Sequence, residues 1–442
     1  MNTDRTFSTI SRIAFSILMA GAALGQPPAF VLPAQGCPMA HCDPRMSDAV
    51  NATPPMNPTV LYHDPVPMGS GYGLGCSSNL QVVACTYRNR TSANLVVYGS
   101  DGHTIFTSGG LLNSTAWTSA PIVDASGGVI AADNTYLIRY APDGRILWQA
   151  ALPGGLPISP VLTANGFILV ATDGGPISAY SLRTGTLLGT LTVTDAAGRA
   201  YLTKNTPAIN GNRAYISMAA RSNSSYGQLV AIDVDPSNAA APLSLKWAFP
   251  FGGPSGASPL FIGNMIYFDG AHLTPNGTAG PYMFGLQDLG NTCSLIWKEV
   301  MSSPVKANAA QDPRGGLWVF ASGSSVLLRL SETSGAVLQS VDVNALVNRP
   351  FIEKPSSALS IVRGPNRETM MLLGVSPASG SGNPSFAVAL NLDSSTLVWA
   401  VQLADGDMAT SQFPLVVNSQ GAPLVVFPGT DSGAYFVGDP SL

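Results

Sequence analysis

Short apolar runs separated by polar turn residues recur along the whole chain. In the segment 119–148, "SAPIV…GVIAADNTYLIRYAPDGRILW", four such runs alternate with Gly, Asp, Asn or Pro turns. The last run follows an Asp-Gly turn and ends in a tryptophan. Short runs rich in β-branched and aromatic residues and bounded by turn residues are typical of β-strands. The pattern therefore predicts a chain built of short strands.

The phrase that ends this segment is repeated. Four copies, "RILW", "LSLKW", "CSLIW" and "STLVW", end at Trp148, Trp247, Trp297 and Trp399. The tryptophans are separated by 99, 50 and 102 residues, and further copies place Phe106, Gly189 and Gln339 at the equivalent position. A repeat of roughly forty to fifty residues containing four strands is typical of a propeller blade. We expect Phe106 and the four tryptophans to close blades by packing between neighbouring sheets.

The chain divides into eight units of this kind. They are 78–109, 119–149, 159–189, 205–247, 257–297, 306–340, 355–400 and 411–439. The last unit lacks its fourth strand, which "PTVLYHD" at 58–64 would supply, so that the two chain ends pair and close the ring. The predicted fold is an all-β, eight-bladed propeller of four-stranded antiparallel blades. A pair of β-sandwiches is the alternative, but sandwiches give no reason for a repeated closing tryptophan.

The beginning of the chain is typical of an export signal. Arg5 and Arg12 precede an apolar run at 13–25 that is too short to span a bilayer, and small residues Ala23 and Gly25 lie at its end. No later stretch is apolar enough for a transmembrane helix. We expect a periplasmic or secreted protein with a signal peptide at 1–25, an extended arm at 26–57 and a propeller at 58–442.

An exported chain can form disulfides. The five cysteines are Cys37, Cys42, Cys76, Cys85 and Cys293. Cys76 with Cys85, and Cys37 with Cys42, are candidate pairs, although spacing alone does not determine connectivity. A lipid anchor at Cys37 is not expected, because Ala34 stands where a lipoprotein signal has a Leu-like residue.

Charge excludes one class of partner. Charged residues make up 10% of the chain and the net charge is −4, so no basic stripe is available for a phosphate backbone and we expect no nucleic-acid partner. Hydrophobic residues make up 45%, which is too many for a disordered chain. We predict a monomer.

The repeat resembles that of the pyrroloquinoline-quinone-like propellers, whose pattern has a Pro-led first strand and a Gly turn followed by Trp. "CPMAHCDPRMSD" at 37–48 is similar to the Trp-Pro-Met-Phe…Asp-Pro…Thr-Gly segment of many of these proteins. Pro38, Met39, Asp43 and Pro44 match that segment, and Cys37 stands in place of its Trp. The resemblance implies a propeller over nearly the whole mature chain, and it implies function poorly because such propellers serve many tasks.

Two functions follow from this resemblance. The family's enzymes are quinoprotein dehydrogenases that hold quinone and calcium in the channel through Glu, Asn and Asp, often below a disulfide between adjacent cysteines. This chain has no adjacent cysteines, and its glutamates are only Glu299, Glu332, Glu353 and Glu368. We therefore predict a non-catalytic binding or assembly scaffold without cofactor, as in the propeller lipoprotein of the outer-membrane barrel-assembly machinery. A sugar or alcohol dehydrogenase using pyrroloquinoline quinone and calcium is the alternative.

Other chemistry is weakly indicated. His103 and His272 have no recognisable nucleophile, and no GxSxG motif occurs. Asp405 and Asp407 form either a calcium-binding loop or an ordinary polar turn. A group of soft ligands on the arm is either a copper site or part of a small disulfide loop: Met39, His41, Cys42 and Met46.

Three long links between second and third strands, at 220–227, 270–282 and 375–385, are expected on one rim of the disc. Insertions on one rim of a repeat array usually mark its binding face. Their candidate contact residues for a protein or glycan partner are Ser225, Tyr226, Asn276, Tyr282 and Asn383.

Overall fold

The computed structural model places eight antiparallel sheets in a ring. It describes residues 28–65, 73–87, 94–109, 111–112, 119–203, 205–254, 256–275, 277–305, 308–321, 323–348, 351–352, 358–377, 384–403, 413–429 and 433–440. Each sheet is one blade, numbered 1 to 8 in chain order.

The first half of the ring follows a strand that belongs to the last blade, β1 (Thr59–Pro65). Blade 1 contains β2 (Gly73–Ser78), β3 (Val82–Tyr87), β4 (Leu95–Gly99) and β5 (Thr104–Thr107). Blade 2 contains β6 (Ile122–Val123), β7 (Val129–Ala132), β8 (Tyr136–Tyr140) and β9 (Ile146–Ala151). Blade 3 contains β10 (Val161–Leu162), β11 (Phe167–Ala171), β12 (Ile177–Ser181) and β13 (Leu187–Leu191). Blade 4 contains β14 (Tyr201–Thr203), β15 (Ala208–Asn210), β16 (Arg213–Ala220), β17 (Gly227–Val234) and β18 (Leu243–Phe251).

The second half repeats this order. Blade 5 contains β19 (Leu260–Ile262), β20 (Met265–Thr274), β21 (Gly277–Asp288) and β22 (Cys293–Val300). Blade 6 contains β23 (Ala310–Gln311), β24 (Leu317–Phe320), β25 (Val326–Leu330) and β26 (Val337–Asp342), and the short helix α1 (Val343–Val347) follows it. Blade 7 contains β27 (Phe351–Ile352), β28 (Leu359–Arg363), β29 (Thr369–Pro377), β30 (Phe386–Asn391) and β31 (Thr396–Gln402). Blade 8 contains β32 (Leu415–Val417), β33 (Pro423–Gly429) and β34 (Gly433–Gly438).

The ring is closed by pairing of the two chain ends. Strand β1 pairs antiparallel with β34, so blade 8 has the order β1-β34-β33-β32. Tyr98 of blade 1 donates a hydrogen bond to Asp64 of β1 at 2.5 Å, and Tyr87 lies 2.9 Å from the same hydroxyl. Asp439 accepts the backbone N–H groups of Met56 and Asn57. The predicted all-β propeller of eight blades, closed by an N-terminal strand, is confirmed.

A β-bulge interrupts the outermost strand of every blade at the residue before the closing position. In blade 2, Trp148 pairs with Arg139 and Ile146 pairs with Tyr140, which leaves Leu147 as the extra residue. The same shift precedes Trp247, Trp297 and Trp399. Bulges bend and twist an edge strand, which protects it from pairing with another chain. The last two residues of the repeated phrase are therefore a bulged residue and a buried ring.

Each closing side chain docks on the next blade. The four tryptophans are 7–8% exposed. Trp148 donates its indole N–H to the carbonyl of Leu182, and Trp297 donates to that of Glu332. Trp247 donates to the Asp288 carboxylate, and Trp399 to the carbonyl of Pro55. Three acceptors belong to the following blade, and Pro55 lies just before β1 of blade 8. These residues therefore join neighbouring parts of the ring as well as filling the space between sheets.

The turn glycine of the next blade provides the docking surface. A Cβ atom on Gly185 would lie 2.6 Å from the Trp148 ring, and one on Gly144 would lie 2.7 Å from Phe106. The same glycines adopt positive φ in their turns. Tyr62 of β1, the closing residue of blade 8, packs in the same way against Gly102 of blade 1. In these blades, the closing aromatic residue and the turn glycine of the following blade therefore form one contact.

Candidate functional site

The arm that precedes the propeller lies across the centre of one face, which we call the arm face. Cys37 pairs with Ser78 of blade 1 through two backbone hydrogen bonds. Arm carbonyls accept N–H groups from five further innermost strands, the donors being Val123, Ile209, Phe261, Gln311 and Ile361. A segment of a dozen residues that contacts the inner strands of six blades must lie at the axis. We call residues 37–48 the axial hub.

The hub is held by its own internal bonds. Cys37 and Cys42 form one disulfide of the structure, and Cys76 and Cys85 form the other, within blade 1. The Asp43 carboxylate accepts hydrogen bonds from Ser47 and Arg45. His41 and Asp48 are buried, and their Nδ1 and Oδ1 atoms lie 2.9 Å apart. Burial raises the pKa of Asp48 although the contact with His41 lowers it.

The hub does not present the soft-metal arrangement considered from sequence. Cys42 is in a disulfide with Cys37, so its sulfur is not available as a thiolate ligand. His41 is engaged with Asp48 through Nδ1. In the described part of the chain, no group of three or more His, Cys, Asp or Glu side chains is placed to hold a metal ion. The small disulfide loop describes this segment better than a copper site does.

The opposite face, which we call the rim, carries the links between second and third strands. The first predicted long link is a turn between β16 and β17, where Ser225 and Tyr226 are exposed. The second is not a loop, because β20 and β21 continue into a hairpin that pairs His272 with Ala279. Tyr282 therefore lies in β21 and is half-buried. The backbone pairing of β20 and β21 continues through a segment that is rich in turn-forming residues. Outside the described residues lie Asn276, Asn383, Asp405 and Asp407.

One end of a raised ridge on this rim is built around Tyr226. The Arg199 guanidinium lies over the Tyr226 ring, 4.3 Å from its centroid. Asp195 fixes Arg199 through a 2.6 Å contact with Nε and also accepts a hydrogen bond from the Tyr201 hydroxyl. Partial desolvation raises the pKa of Asp195, but the hydrogen bonds from Arg199 and Tyr201 lower it overall. Arg221, on the same turn as Tyr226, donates to the carbonyl of Gly174 in blade 3.

The other end of the ridge is the blade 5 hairpin. Ala271 of the hairpin exchanges backbone hydrogen bonds with Gly252 and Gly253, which link blades 4 and 5. A Cβ atom on Gly253 would lie 2.0 Å from the carbonyl oxygen of Ser224, so only glycine permits this approach. Lys298 lies over the Tyr282 ring at 5.2 Å. The turn of blade 4 and the hairpin of blade 5 are thereby joined into one surface, which we call the blade 4–5 ridge.

Toward the rim, hydrogen bonds from short polar side chains connect the starts of the innermost strands. Ser159 accepts the N–H of Ala120, and Ser258 accepts the N–H of Thr206. Asn308 accepts the N–H of Ser258. Each bond runs from one blade to the next. Serine and asparagine at the strand starts therefore connect the blades near the axis.

Within the described residues, the side chains at these strand starts, which we call the wall, do not fit a bound quinone with calcium. Such a group needs several oxygen ligands with negative charge, and cations facing its acidic groups. The described strand starts offer hydroxyl and amide groups instead. A carboxyl near them, Asp269, is fully buried and accepts hydrogen bonds from backbone N–H groups, and its burial raises its pKa well above the usual range.

The other histidines are dispersed. His63 stacks on Tyr435 in blade 8, and the exposed His103 contacts Asp101 in its turn. His272 packs against the edge of Tyr282. The residues that sequence reasoning missed are Asp195, Arg199 and Lys298, because their importance comes from neighbours in other links and strands. The four-residue spacing of Asp195 and Arg199 was the only local signal.

Comparison with known proteins agrees with the repeat. Residues 90–273, which extend from blade 1 into blade 5, match the profile of the family described as outer membrane protein assembly factor BamB. Over these residues the chain is similar to the pyrroloquinoline-quinone-like propeller repeat. No curated protein matches it in sequence. Among the described residues, no helix has the length and apolar character needed to cross a bilayer.

Solved propellers superpose on most of the ring. The quinohemoprotein alcohol dehydrogenase from Comamonas testosteroni is 10% identical, with a TM-score of 0.64 over 92% of this chain and 81% of that one. BamB from Moraxella catarrhalis is 12% identical, with a TM-score of 0.54 over 87% of this chain and 98% of that one. A europium-containing methanol dehydrogenase is 10% identical, with a TM-score of 0.51 over 90% of each chain. At these identities, the structural similarity establishes the fold but not the function.

Proposed function

We propose that this propeller is an exported, non-catalytic binding or assembly scaffold that engages a protein or glycan partner through its rim. The observation that carries the proposal is the blade 4–5 ridge. Its exposed Tyr226 is held by Arg199, which is itself held by Asp195, so the contact surface is ordered before a partner arrives. Tyrosine and arginine are the side chains most enriched at the centres of protein interfaces.

The axis of the ring supports the same proposal. The hub occupies the arm-face end with hydrogen-bonded backbone, and the strand starts toward the rim present serine and asparagine already bonded to the next blade. A reaction centre needs a base or nucleophile with its own positioned partner. The described wall instead uses its polar groups to connect blades.

Export is supported by three observations. The first residues have the pattern of a signal peptide, both disulfides require an oxidising compartment, and the family profile is that of an outer-membrane assembly factor. We propose that the mature chain begins after residue 25, with the arm at 26–57 and the propeller at 58–442. In this proposal the mature protein binds no quinone or metal.

Photo-cross-linking in cells that express the protein tests the rim. A photoreactive residue replaces Ser225 on the rim or, as the control, Asn165 on the arm face, where it lines a groove of about 640 Å³. We expect a discrete adduct from position 225 and none from position 165. Adducts from position 165 alone would place the binding face on the other side of the disc.

Reconstitution tests the enzymatic alternative. The purified protein is incubated with calcium and pyrroloquinoline quinone and assayed by dye reduction on a broad panel of alcohols and sugars. We expect no turnover above a heat-denatured control. Turnover that requires both the quinone and calcium would overturn the scaffold proposal.

A further inference from the structure

The blade 4–5 ridge has a local charge that differs from that of the whole chain. The net charge of the chain is −4, yet the ridge presents Arg199, Arg221 and Lys298. Within the described residues, Arg221 and Lys298 have no carboxylate partner, and both are exposed. The surface therefore offers cationic donors on an acidic protein.

The carboxylates near the ridge already have hydrogen-bond partners of their own. Asp195 already accepts hydrogen bonds from Arg199, Ala197 and Tyr201. Asp173, beside Gly174, accepts the backbone N–H of Leu156 at 2.6 Å. Glu299 follows Lys298 in β22, and successive residues of a strand point to opposite faces. Within the described residues, the ammonium of Lys298, the outer nitrogens of Arg199 and Nη1 of Arg221 make no hydrogen bond to a protein group and can bind an anion.

The aromatic rings of the ridge favour a peptide over a sugar. A sugar ring stacks on an open aromatic face, whereas Arg199 covers a face of Tyr226 at 4.3 Å and Lys298 lies over Tyr282 at 5.2 Å. A cation held on an aromatic ring keeps donors free for a carboxylate. Guanidinium in particular matches the planar geometry of a carboxylate.

We propose that the blade 4–5 ridge binds an extended acidic segment of a protein partner, whose carboxylates contact Arg199, Arg221 and Lys298 on either side of Tyr226. This inference rests on the proposed function and specifies its partner. The two are separable, because a rim scaffold could bind a neutral segment. Complementary charge across an interface mainly sets specificity and association rate, so the binding is expected to weaken as salt increases.

Selection from a random peptide library on the immobilised full-length mature protein tests the chemistry. We expect the recovered peptides to be enriched in Asp and Glu, and a fluorescent copy of the best peptide to bind more weakly at high salt. Replacing its Glu and Asp by Gln and Asn should abolish binding. Recovery of peptides without acidic enrichment would overturn the inference, as would binding of polygalacturonate but of no peptide.

Matched variants locate the site. The double variant Arg221→Gln with Lys298→Gln should weaken the peptide by roughly tenfold or more. The control, Arg145→Gln with Arg183→Gln, makes the same charge change at exposed turns of the arm face and should leave affinity unchanged. Equal loss in both variants would show non-specific attraction and overturn the inference. Peptides that bind unaffected by any rim substitution would contradict the proposed function itself.

Discussion

At the scale of single residues, the molecule depends on one contact that is repeated around the ring with different side chains. Trp148 docks on Gly185, Phe106 on Gly144 and Tyr62 on Gly102. Gln339 stands where other blades have tryptophan, and it still donates to the next blade, at the carbonyl of Leu392. In this blade, the hydrogen bond to the next blade is kept although the aromatic ring is absent.

The docking contact predicts a specific cost for filling its glycine. Gly185→Ala should destabilise the protein more than Gly166→Ala, although both glycines have positive φ, at 72° and 81°. The shared backbone strain costs about 1–2 kcal/mol, and only the Cβ at 185 meets a ring, that of Trp148 at 2.6 Å. Overpacking adds about 1–3 kcal/mol. Urea unfolding of the two variants measures the difference, and equal midpoints would refute the docking role.

Asp269 gives a prediction for pH. Burial raises its pKa well above the ordinary 3.8, so the folded state retains a proton that the unfolded chain loses first. The stability that this group contributes is full below about pH 3.8 and is lost as pH rises through its folded pKa. Asp269→Asn does not titrate and retains an acceptor for the backbone N–H groups.

The free-energy advantage of Asp269→Asn over the wild type should therefore be larger at pH 7 than at pH 3.5. Denaturant unfolding at the two pH values measures it. Asp143→Asn, at an exposed turn, is the control and should show no such trend. A constant difference for Asp269→Asn would mean that the pKa of this carboxyl is the same in the folded and unfolded protein.

At the scale of elements, each outer strand is an edge made unsuitable for pairing by its bulge. Exposed apolar residues accompany the bulges, among them Ile105, Ile296 and Leu338, which are 47–53% exposed. A flat edge with such side chains would attract another strand, and the bulge prevents this by twisting the edge away. The two chain ends are protected differently, by pairing β1 with β34.

A buried hydroxyl connects the strand that closes the ring to blade 1. Burial raises the pKa of Tyr98, which keeps its proton available to Asp64 of β1. Tyr98→Phe should cost about 1–3 kcal/mol and make the segment containing β1 cleavable at low protease concentrations. Tyr180→Phe removes a comparable bond, to the carbonyl of Ala151 in blade 2. If both variants release the same fragments, Tyr98 has no special role in closure.

At the scale of the whole molecule, the axial hub connects blades that are far apart in sequence. Its carbonyls accept N–H groups from inner strands as distant as Val123 and Ile361. The disulfide Cys37–Cys42 lies within this hub, whereas Cys76–Cys85 joins neighbouring strands of one blade. The two disulfides therefore constrain different parts of the ring. Cys37–Cys42 lies in the hub that several blades contact, and Cys76–Cys85 lies within one blade.

Hydrogen exchange distinguishes the two disulfides. In the double variant Cys37→Ser with Cys42→Ser, amide exchange should accelerate in several blades at once, at Val123, Ile209, Phe261, Gln311 and Ile361. In Cys76→Ser with Cys85→Ser, the acceleration should be confined to β2 and β3. Faster exchange limited to the arm in the first variant would mean that the hub does not hold the ring.

The sequence by itself determined the architecture, because each unit carries its own strands, turns and closing residue. Local spacing and turn chemistry express these features, so the eight blades, the all-β class and the pairing of the chain ends were predictable. The bulge before Trp148 was not, since one extra residue in a strand leaves the apolar pattern unchanged. The hairpin containing Tyr282 was not predicted, because the turn-forming residues of this segment are typical of a loop.

Only the tertiary structure decided what the arm and the ridge are. The arm carries no repeat, and its position at the axis depends on hydrogen bonds with strands up to 313 residues away, as between Asp48 and Ile361. The ridge assembles Arg199, Tyr226 and Lys298 from three separate segments. Charge and stacking act through space, whereas spacing along the chain reports only neighbours within one element.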